Sequence, residues 1–346
     1  MTSMIKERTD EKKVRSRAAV GVAALLAGTV LLAVSLALAV SFGAADYDLR
    51  SVWRSIFGYD PARQADQVIV GIRLPRELGA ALVGAAFSVS GAIMQGMTRN
   101  PLADPGLLGL NAGAGFALAC VFAFVPGATY LTAMVGAFAG AGLGAAMVFG
   151  LGSLTRGGMS PVRITLAGAA VSALLTALGE GIALMHKLSQ SLTFWTAGGV
   201  SGTNWLQLQL ITPVVLGGVL VAVLMSRSVT ILSFGEEVAT GLGQRTFLTK
   251  TVLMLVVLLL AGTAVSVVGM IAFVGLMIPH IVRFIVGTDY RWIIPCCAVF
   301  GGAFMVLADT AARLVNAPFE TPVGGLIALL GVPFFLYLAR KKGRML

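Results

Sequence analysis

Long stretches without a charged side chain constrain this chain more than any other feature of its sequence. Four of them are residues 18–45, 78–98, 105–155 and 188–226. A helix needs about 20 mainly apolar residues to cross the hydrocarbon core of a membrane. Because that core offers no water to backbone N–H and C=O groups, a spanning segment must satisfy its own hydrogen bonds, as an α-helix does. The alternating pattern of a membrane β-barrel is absent from the sequence, so we predict an all-α integral membrane protein.

The overall composition agrees with this prediction. Of the 346 residues, 57% are hydrophobic and 12% are charged, whereas a soluble domain has roughly 25% charged residues. The first apolar stretch is far longer than the apolar part of a cleavable signal, which has about 7–15 residues, so we predict that it spans the membrane. The three cysteines lie in apolar runs and show neither a disulfide framework nor the spacing of a metal site.

Basic residues cluster at both ends of the chain. Basic residues that flank membrane spans mark the cytoplasmic side and also attract anionic lipid. We therefore predict that both termini are cytoplasmic, with residues 1–17 as a basic segment and residues 18–346 as a single membrane domain. This distribution accounts for the net charge of +10 without a nucleic-acid partner, which we do not expect. The clustered residues are Lys6, Arg8, Lys12, Lys13, Arg15, Arg17, Arg340, Lys341, Lys342 and Arg344.

Two termini on one side of the membrane require an even number of spans, and counting gives about ten. The segment from Lys250 to Arg283 is ambiguous, because at about 1.5 Å per residue it is too long for one perpendicular helix and short for two. The requirement for an even number of spans favours two. We predict two compact helices there, with a turn near Gly262–Gly269. The spans are expected near residues 18–44 and 76–98, twice within 105–155 with a break at Pro126-Gly127, near 163–185 and 206–226, twice within 250–283, and near 292–314 and 321–339.

Charged residues at the predicted extracytoplasmic ends of the spans are candidates for a role in function. Arg73 and Arg76 begin the second span on one face of a helical turn. They either snorkel to the membrane interface or form a docking point for carboxylates, which arginine binds in bidentate pairs. Asp309 and Arg313 are spaced as a favourable pair within one helix, and the sequence leaves open whether they only neutralise each other.

Three further features have two interpretations each. Glu180 either pairs with a neighbouring helix or lines a substrate path. His280 follows Pro279 and is either a packing residue, which is the commoner case, or part of a proton relay. The inner loop at 235–243 is long enough for a short helix ended by glycine, which would be either solvated or a contact for a cytoplasmic partner. The other inner loop, 100–105, contains two prolines that prevent a continuous helix.

The sequence offers few candidate residues for enzyme chemistry. No H-E-x-x-H and no G-x-x-x-x-G-K-[ST] occurs, so any ATP would be bound by a separate subunit. A membrane enzyme would also need a clustered nucleophile and base or a metal set, and His186 and His280 are far apart. A proton-driven transporter would need titratable groups at the membrane midplane, for which Glu180 and His280 are the only candidates.

Motifs between about Arg73 and Tyr337 resemble a single family in their order and spacing. They are Arg73-Leu74-Pro75-Arg76, Ser90-Gly91-Ala92-Ile93-Met94-Gln95, residues 99–106, residues 269–276 and Ile278-Pro279-His280. With them the chain resembles FecCD-type permeases, the type II ABC importers for ferric siderophores, haem and cobalamin. The ferric-siderophore branch is favoured by Phe194-Trp195, Ser160-Pro161-Val162-Arg163 and Pro318-Phe319-Glu320-Thr321-Pro322. The last of these motifs, with Gly331-Val332-Pro333-Phe334-Phe335, resembles permeases of Gram-positive bacteria.

The resemblance implies a type II ABC importer permease fold with ten helices and a cytoplasmic-membrane location. It also implies an assembly of two permease subunits, identical or paralogous, with two cytoplasmic ATPase subunits and an extracytoplasmic siderophore-binding protein. The ATPase subunits use the ATP, and the permease binds no cofactor. The implied function is import of ferric siderophore by ATP-driven alternating access, with haem or cobalamin as the alternative substrate.

The resemblance further implies roles for individual residues. Docking of the binding protein is implied for Arg73, Arg76 and Arg313. Segment 232–244 is implied to couple the permease to the ATPase, through Glu236, Ala239, Leu242 and Gly243. A cytoplasmic gate is implied for Asn100, Leu102, Ser160, Pro161 and Val162. Because Pro161 and Val162 replace small hydroxyl residues of the cobalamin member, a hydroxyl contact at this gate is not expected.

Overall fold

Helices form all the regular structure in the part of the chain that the structure describes. A computed structural model describes residues 18–42, 47–153, 161–317 and 319–342. Two short turns of other helix types, the π-helical Ile69–Arg73 and the 3₁₀-helical Pro105–Leu108, accompany the α-helices. In chain order the α-helices are α1 (Ala18–Ser41), α2 (Leu49–Phe57), α3 (Gln64–Val68), α4 (Leu74–Thr98), α5 (Leu110–Phe124), α6 (Tyr130–Ser153), α7 (Pro161–Met185), α8 (Ser189–Thr196), α9 (Trp205–Leu224), α10 (Ser226–Ser233), α11 (Glu236–Gly241), α12 (Thr246–Val268), α13 (Val274–Val286), α14 (Tyr290–Val315) and α15 (Val323–Lys342).

The predicted membrane spans correspond to helices of the structure. Within the described residues, seven helical segments are long and apolar enough to cross a membrane. Three shorter apolar helices, Leu110–Phe124, Val274–Val286 and Val323–Leu338, lie where the remaining spans were expected. The prediction of an all-α membrane protein is therefore confirmed, while the number of crossings and the cytoplasmic location of the termini stay predictions.

The segment from Lys250 to Arg283 contains two helices, as predicted, but the turn lies later than expected. Helix α12 continues through Gly262 to Val268, and the chain turns over residues 269–273. Gly269 has a φ of 74° and packs so closely against the carbonyl oxygen of Trp195 that a side chain would overlap it. Glycine is the residue that tolerates both conditions, which explains why the helix ends here and not at Gly262.

Helix α4 lies at the centre of the bundle and packs against α9, α12, α13 and α14. Small residues on α4 let the neighbouring backbones approach closely, as is typical of membrane helices. A Cβ on Gly84 would overlap the carbonyl oxygen of Gly301 in α14, and a Cβ on Gly91 would overlap that of Gly275 in α13. These backbone-to-backbone contacts fix the positions of α13 and α14 around α4.

A second packing group consists of α5, α6 and α7. The repeat of Gly136, Gly140 and Gly144 on α6 faces α5 and the turn before it: a Cβ on Gly140 would overlap the carbonyl oxygen of Gly113, and one on Gly144 that of Gly109. The glycine repeat therefore serves close packing of helices within this chain.

Of the short helices between the spans, α11 lies in the loop where a short helix was considered, whereas α2, α3, α8 and α10 were not predicted, because helices of this length escape a search for membrane spans. The nine-residue helix α2 begins at the N-cap Asp48, whose carboxylate accepts a hydrogen bond from Ser51 N at 3.2 Å. Ser55 Oγ donates to Asp66 Oδ1 at 2.7 Å and thereby ties α2 to α3. Over the described residues 47–73, the connection between α1 and α4 thus consists of short helices joined by hydrogen bonds.

We expect Gly91→Ala to destabilise the protein, because the new methyl group would meet the backbone of α13, and overpacking of this kind costs about 1–3 kcal/mol. Gly217→Ala on α9 is the matched control, since a Cβ there meets no atom within 4 Å and alanine favours a helix interior by roughly 0.5–1 kcal/mol. Thermal unfolding of both variants in detergent should show a lower midpoint for Gly91→Ala alone. Equal midpoints would contradict the close approach of α4 and α13.

Candidate functional site

Five charged side chains meet where α4 begins and α14 ends, at the predicted extracytoplasmic end of the bundle. We call them the ion cluster: Arg76 and Glu77 of α4, Asp309 and Arg313 of α14, and Glu320 of the connection between α14 and α15. Residues separated by more than 230 positions in sequence are brought together because α4 and α14 pack along their length. In a chain with 12% charged residues, this cluster is a marked concentration of charge.

Arg76 holds the cluster together through two carboxylates. Its Nε and Nη2 donate to Asp309 Oδ2 and Oδ1 at 2.8 and 3.0 Å, which is a bidentate pair. Its Nη1 and Nη2 donate to Glu320 Oε1 and Oε2 at 2.5 and 3.3 Å. The Arg76 side chain is 9% exposed and that of Asp309 is 0% exposed. Arg76 is therefore a buried ion-pair residue and does not snorkel to the interface.

Arg313 adds a second ion pair and a helix cap. Its Nη2 donates to Glu77 Oε1 at 2.5 Å, and its Nε lies 3.2 Å from Asp309 Oδ2 one helical turn earlier. The predicted pair of Asp309 and Arg313 is thus present, but Asp309 has its shorter contacts with Arg76. Arg313 also donates to the carbonyl oxygens of Ala39 and Phe42, at the end of α1.

Arg73 also contacts the end of α1. Its Nη1 donates to the carbonyl oxygens of Val40 and Ser41 at 2.7 and 3.0 Å, and its guanidinium lies 4.8 Å from the centre of the Tyr47 ring. The last carbonyl groups of a helix have no partners within the helix, and a cation there is favourable for the helix dipole. Arg73 is buried, so it caps α1 instead of lying on the surface.

The opposite end of the bundle carries the predicted coupling residues on α11 and the turn after it. Leu242 is 67% exposed, and Ala239 is buried. The carboxylate of Glu236 is 2.5 Å from Lys250 Nζ and ties α11 to α12. Gly243 has a φ of 79°, which is typical of a glycine that ends a helix. The short helix α11 is thereby fixed to the long helix α12, and the apolar side chain of Leu242 points outward.

The predicted gate residues are only partly described. Asn100 Oδ1 accepts a hydrogen bond from Leu102 N at 3.0 Å and so forms the tight turn expected from the sequence. Asp104 Oδ1 accepts one from Gly106 N at 2.8 Å, and burial raises the pKa of the Asp104 carboxyl above its ordinary value. Ser160 lies outside the described residues. Pro161 and Val162 begin α7.

A cavity of about 580 Å³ lies beside the coupling segment. Its walls come from the end of α4, from α6 and from the start of α12, and they include Arg99, Phe149, Glu236, Phe247 and Lys250. The cavity is mainly apolar, with charged groups at the end near α11. It places the end of α4 next to the segment expected to contact the ATPase.

Glu180 and His280, the two titratable residues considered for a substrate path or a proton relay, have different surroundings. Glu180 is exposed on α7 and makes no ion pair within the described residues. The interpretation that pairs it with a neighbouring helix of this chain is therefore not supported. His280 packs edge-on against the rings of Phe284 and Phe334, at 4.9 and 5.8 Å between ring centres, which fits a packing role.

Sequence reasoning gave no role to Glu77, Glu320 or Lys250. Glu77 follows Arg76 directly at the start of an apolar stretch, and opposite charges at such a position are a signal for an ion cluster that could have been used. Glu320 lies in a segment that carried the family resemblance, but its partner on α4 is 244 positions away. Only the fold could connect these two residues.

Comparison with known proteins covers nearly the whole chain. Residues 31–341 match the sequence profile of the FecCD transport family. The iron(3+)-hydroxamate import system permease protein FhuB of Bacillus subtilis (strain 168) is 52% identical over 340 residues, which cover 98% of this chain and 88% of that protein. The iron-uptake system permease protein FeuB of the same organism is 40% identical over 319 residues, which cover 92% and 96%.

A solved structure has the same fold. It is described as being of the metal-chelate ABC transporter type, in an inward-facing conformation. Its chain superposes on this one with a TM-score of 0.80 and is 29% identical, over 92% of this chain and 98% of that one.

We expect Arg76→Gln to lower stability strongly, because Asp309 would stay buried without its bidentate partner. Breaking a buried pair costs about 3–5 kcal/mol, and the contact with Arg313 places the expected value at the lower end. The control is Arg63→Gln, since the pair of Arg63 and Asp60 is exposed and such pairs contribute about 0–1 kcal/mol. Thermal unfolding in detergent measures both. A similar midpoint for the two variants would show that the ion cluster is not a structural unit.

Proposed function

Because this chain belongs to the FecCD transport family, we propose that it is the permease subunit of an ABC importer that moves ferric siderophore across the cytoplasmic membrane by ATP-driven alternating access. The observation that carries the proposal is the 52% identity, over 98% of the chain, to a permease of an iron(3+)-hydroxamate import system. The expected substrate class is therefore ferric hydroxamate siderophore, ahead of haem and cobalamin.

The α11 end of the bundle is proposed to contact a cytoplasmic ATPase subunit. Exposed apolar side chains on a short helix that is held in place suit a docking contact. On α11 and the residue after it, Val238 and Leu242 are exposed. The ion pair of Glu236 with Lys250 joins this helix to α12, so a displacement of α11 would be transmitted to a span. The ATPase subunits bind and hydrolyse ATP, and the permease contributes no covalent chemistry and no cofactor.

The ion-cluster end is proposed to receive an extracytoplasmic binding protein loaded with siderophore. Arg73, Arg76 and Arg313 are concentrated at this end, and acidic side chains of the binding protein are the complementary groups. Because all three arginines have partners inside the chain, docking must compete with those partners. Reversal of their charges would disturb folding as well as docking, which makes it an unsuitable test.

A second permease subunit, identical or paralogous, is proposed to face α7. A carboxylate in an apolar span is costly next to lipid, and Glu180 lies exposed on α7 without an ion pair in the described part of the chain. A subunit interface with a water-filled path would remove that cost. Transport then needs two arrangements of the helices, biased by ATP at one end and by docking at the other.

The proposal is tested by reconstitution. The chain, with its partner permease, ATPase and binding protein, is placed in liposomes, and uptake of a radiolabelled ferric hydroxamate siderophore is followed with and without ATP. Uptake that requires both ATP and the binding protein is the expected result, with haem and cobalamin as competing substrates that fail to reduce it. Uptake driven by a proton gradient without ATP would overturn the proposal.

We expect Leu242→Ala to reduce ATP-driven uptake while the chain stays folded. Truncation of an apolar side chain at the centre of an interface costs about 2 kcal/mol or more, which weakens the contact with the ATPase by more than about tenfold. Leu216→Ala on α9 is the control, because Leu216 is 57% exposed and lies away from α11. Co-purification of the ATPase and uptake are measured together. If both are unchanged in Leu242→Ala, the coupling role is wrong.

A further inference from the structure

The guanidinium of Arg76 has almost no free hydrogen-bonding capacity. An arginine offers five N–H donors, and Arg76 uses Nε and one N–H of Nη2 on Asp309, and Nη1 and the other N–H of Nη2 on Glu320. One N–H of Nη1 remains. A carboxylate from another protein cannot form a bidentate pair with Arg76 while both internal partners are in place.

The two internal partners differ in how easily they can leave. Asp309 is 0% exposed, lies within the long helix α14 and also contacts Arg313, so its removal from Arg76 would leave a buried charge unpaired. Glu320 is 51% exposed and lies in the connection between the end of α14 and the start of α15. Its carboxylate can turn into water at little cost, because an ion pair of an exposed side chain contributes about 0–1 kcal/mol.

We propose that Glu320 is an internal competitor of the binding protein: its carboxylate occupies Arg76 until an acidic side chain of the binding protein replaces it. This inference rests on the proposed docking at the ion-cluster end and adds how that docking is regulated. The exchange is one carboxylate for another on the same guanidinium, so the buried pair of Arg76 with Asp309 persists throughout.

The balance of charge supports this role. The ion cluster and Arg73 together carry three cationic and three anionic side chains, so their formal charges cancel while Glu320 is bound. Departure of Glu320 leaves three cationic and two anionic side chains, a net formal charge of +1 for the group, while Arg76 keeps its pair with Asp309. The site therefore attracts a carboxylate only when that carboxylate can take the position of Glu320, which disfavours acidic proteins of other shapes.

Glu320→Gln tests the inference with little risk to folding, because glutamine has the same shape and still accepts a hydrogen bond from Arg76. The complete importer, with either the wild-type chain or the variant, is placed in nanodiscs. Its affinity for the binding protein encoded with it, loaded with ferric hydroxamate siderophore, is measured by biolayer interferometry. Asp60→Asn is the matched control, since Asp60 is an exposed carboxylate at the same end, outside the ion cluster.

Glu320→Gln and Glu320→Ala are expected to bind the binding protein about two- to fivefold more tightly than the wild type, the gain corresponding to an exposed ion pair. Asp60→Asn is expected to leave the affinity unchanged. Unchanged or weaker binding by both Glu320 variants, with the wild type binding normally and all chains equally stable to heat, would overturn the inference and leave the assignment as an importer permease in place. If the wild type itself does not bind, docking at this end is wrong, and the inference falls with the proposed function.

Discussion

The contact between α4 and α14 is the interaction on which the rest of the structure depends. The two backbones approach closely at Gly84 and Gly301, and the bidentate pair of Arg76 and Asp309 closes the same contact at its outer end. Either element alone would be weak, since helices in lipid gain little from burying apolar surface against each other. Close packing supplies the contact area, and the ion pair sets one register of the two helices, because a shift by one residue would leave two buried charges apart.

The sequence was sufficient for the spans but not for the partners of the charged residues. Uncharged stretches located the long helices to within a few residues, because length and apolarity alone determine whether a segment can cross a membrane. The i,i+4 pair of Asp309 and Arg313 was also accessible, since both lie on one helix. The partners of Arg73 and Arg76 could not be predicted from the sequence, because a carbonyl at the end of α1 and a carboxylate on α14 approach these arginines only after folding. Short surface helices such as α2 were missed for lack of a span-length signal.

The two ends of the molecule offer opposite kinds of surface. The ion-cluster end holds buried charges that form ion pairs within the chain, whereas the α11 end presents exposed apolar side chains such as Leu242. Charged groups mainly govern which partner is accepted and how fast it arrives, and apolar contacts supply lasting affinity. This contrast fits a binding protein that associates transiently and an ATPase subunit that stays bound. Helix α4 joins the two ends directly, from Arg76 to the cavity beside Arg99.

The short helix α13 limits which parts of the bundle can separate. In the predicted ten-span arrangement α13 is one of the crossings. Its 13 residues extend about 20 Å, less than the roughly 30 Å of a hydrocarbon core, so we expect the turn at 269–273 to lie at membrane depth. Non-helical backbone survives there only where protein or water replaces lipid. At this turn, other parts of the protein take the place of lipid. Gly198 and Gly324 pack against the carbonyl oxygen of Met270, and Gly199 N donates a hydrogen bond to Val268 O. We therefore expect the start of α15 and the connection before α9 to move together with this turn, and the hinges of a transport cycle to lie outside these contacts.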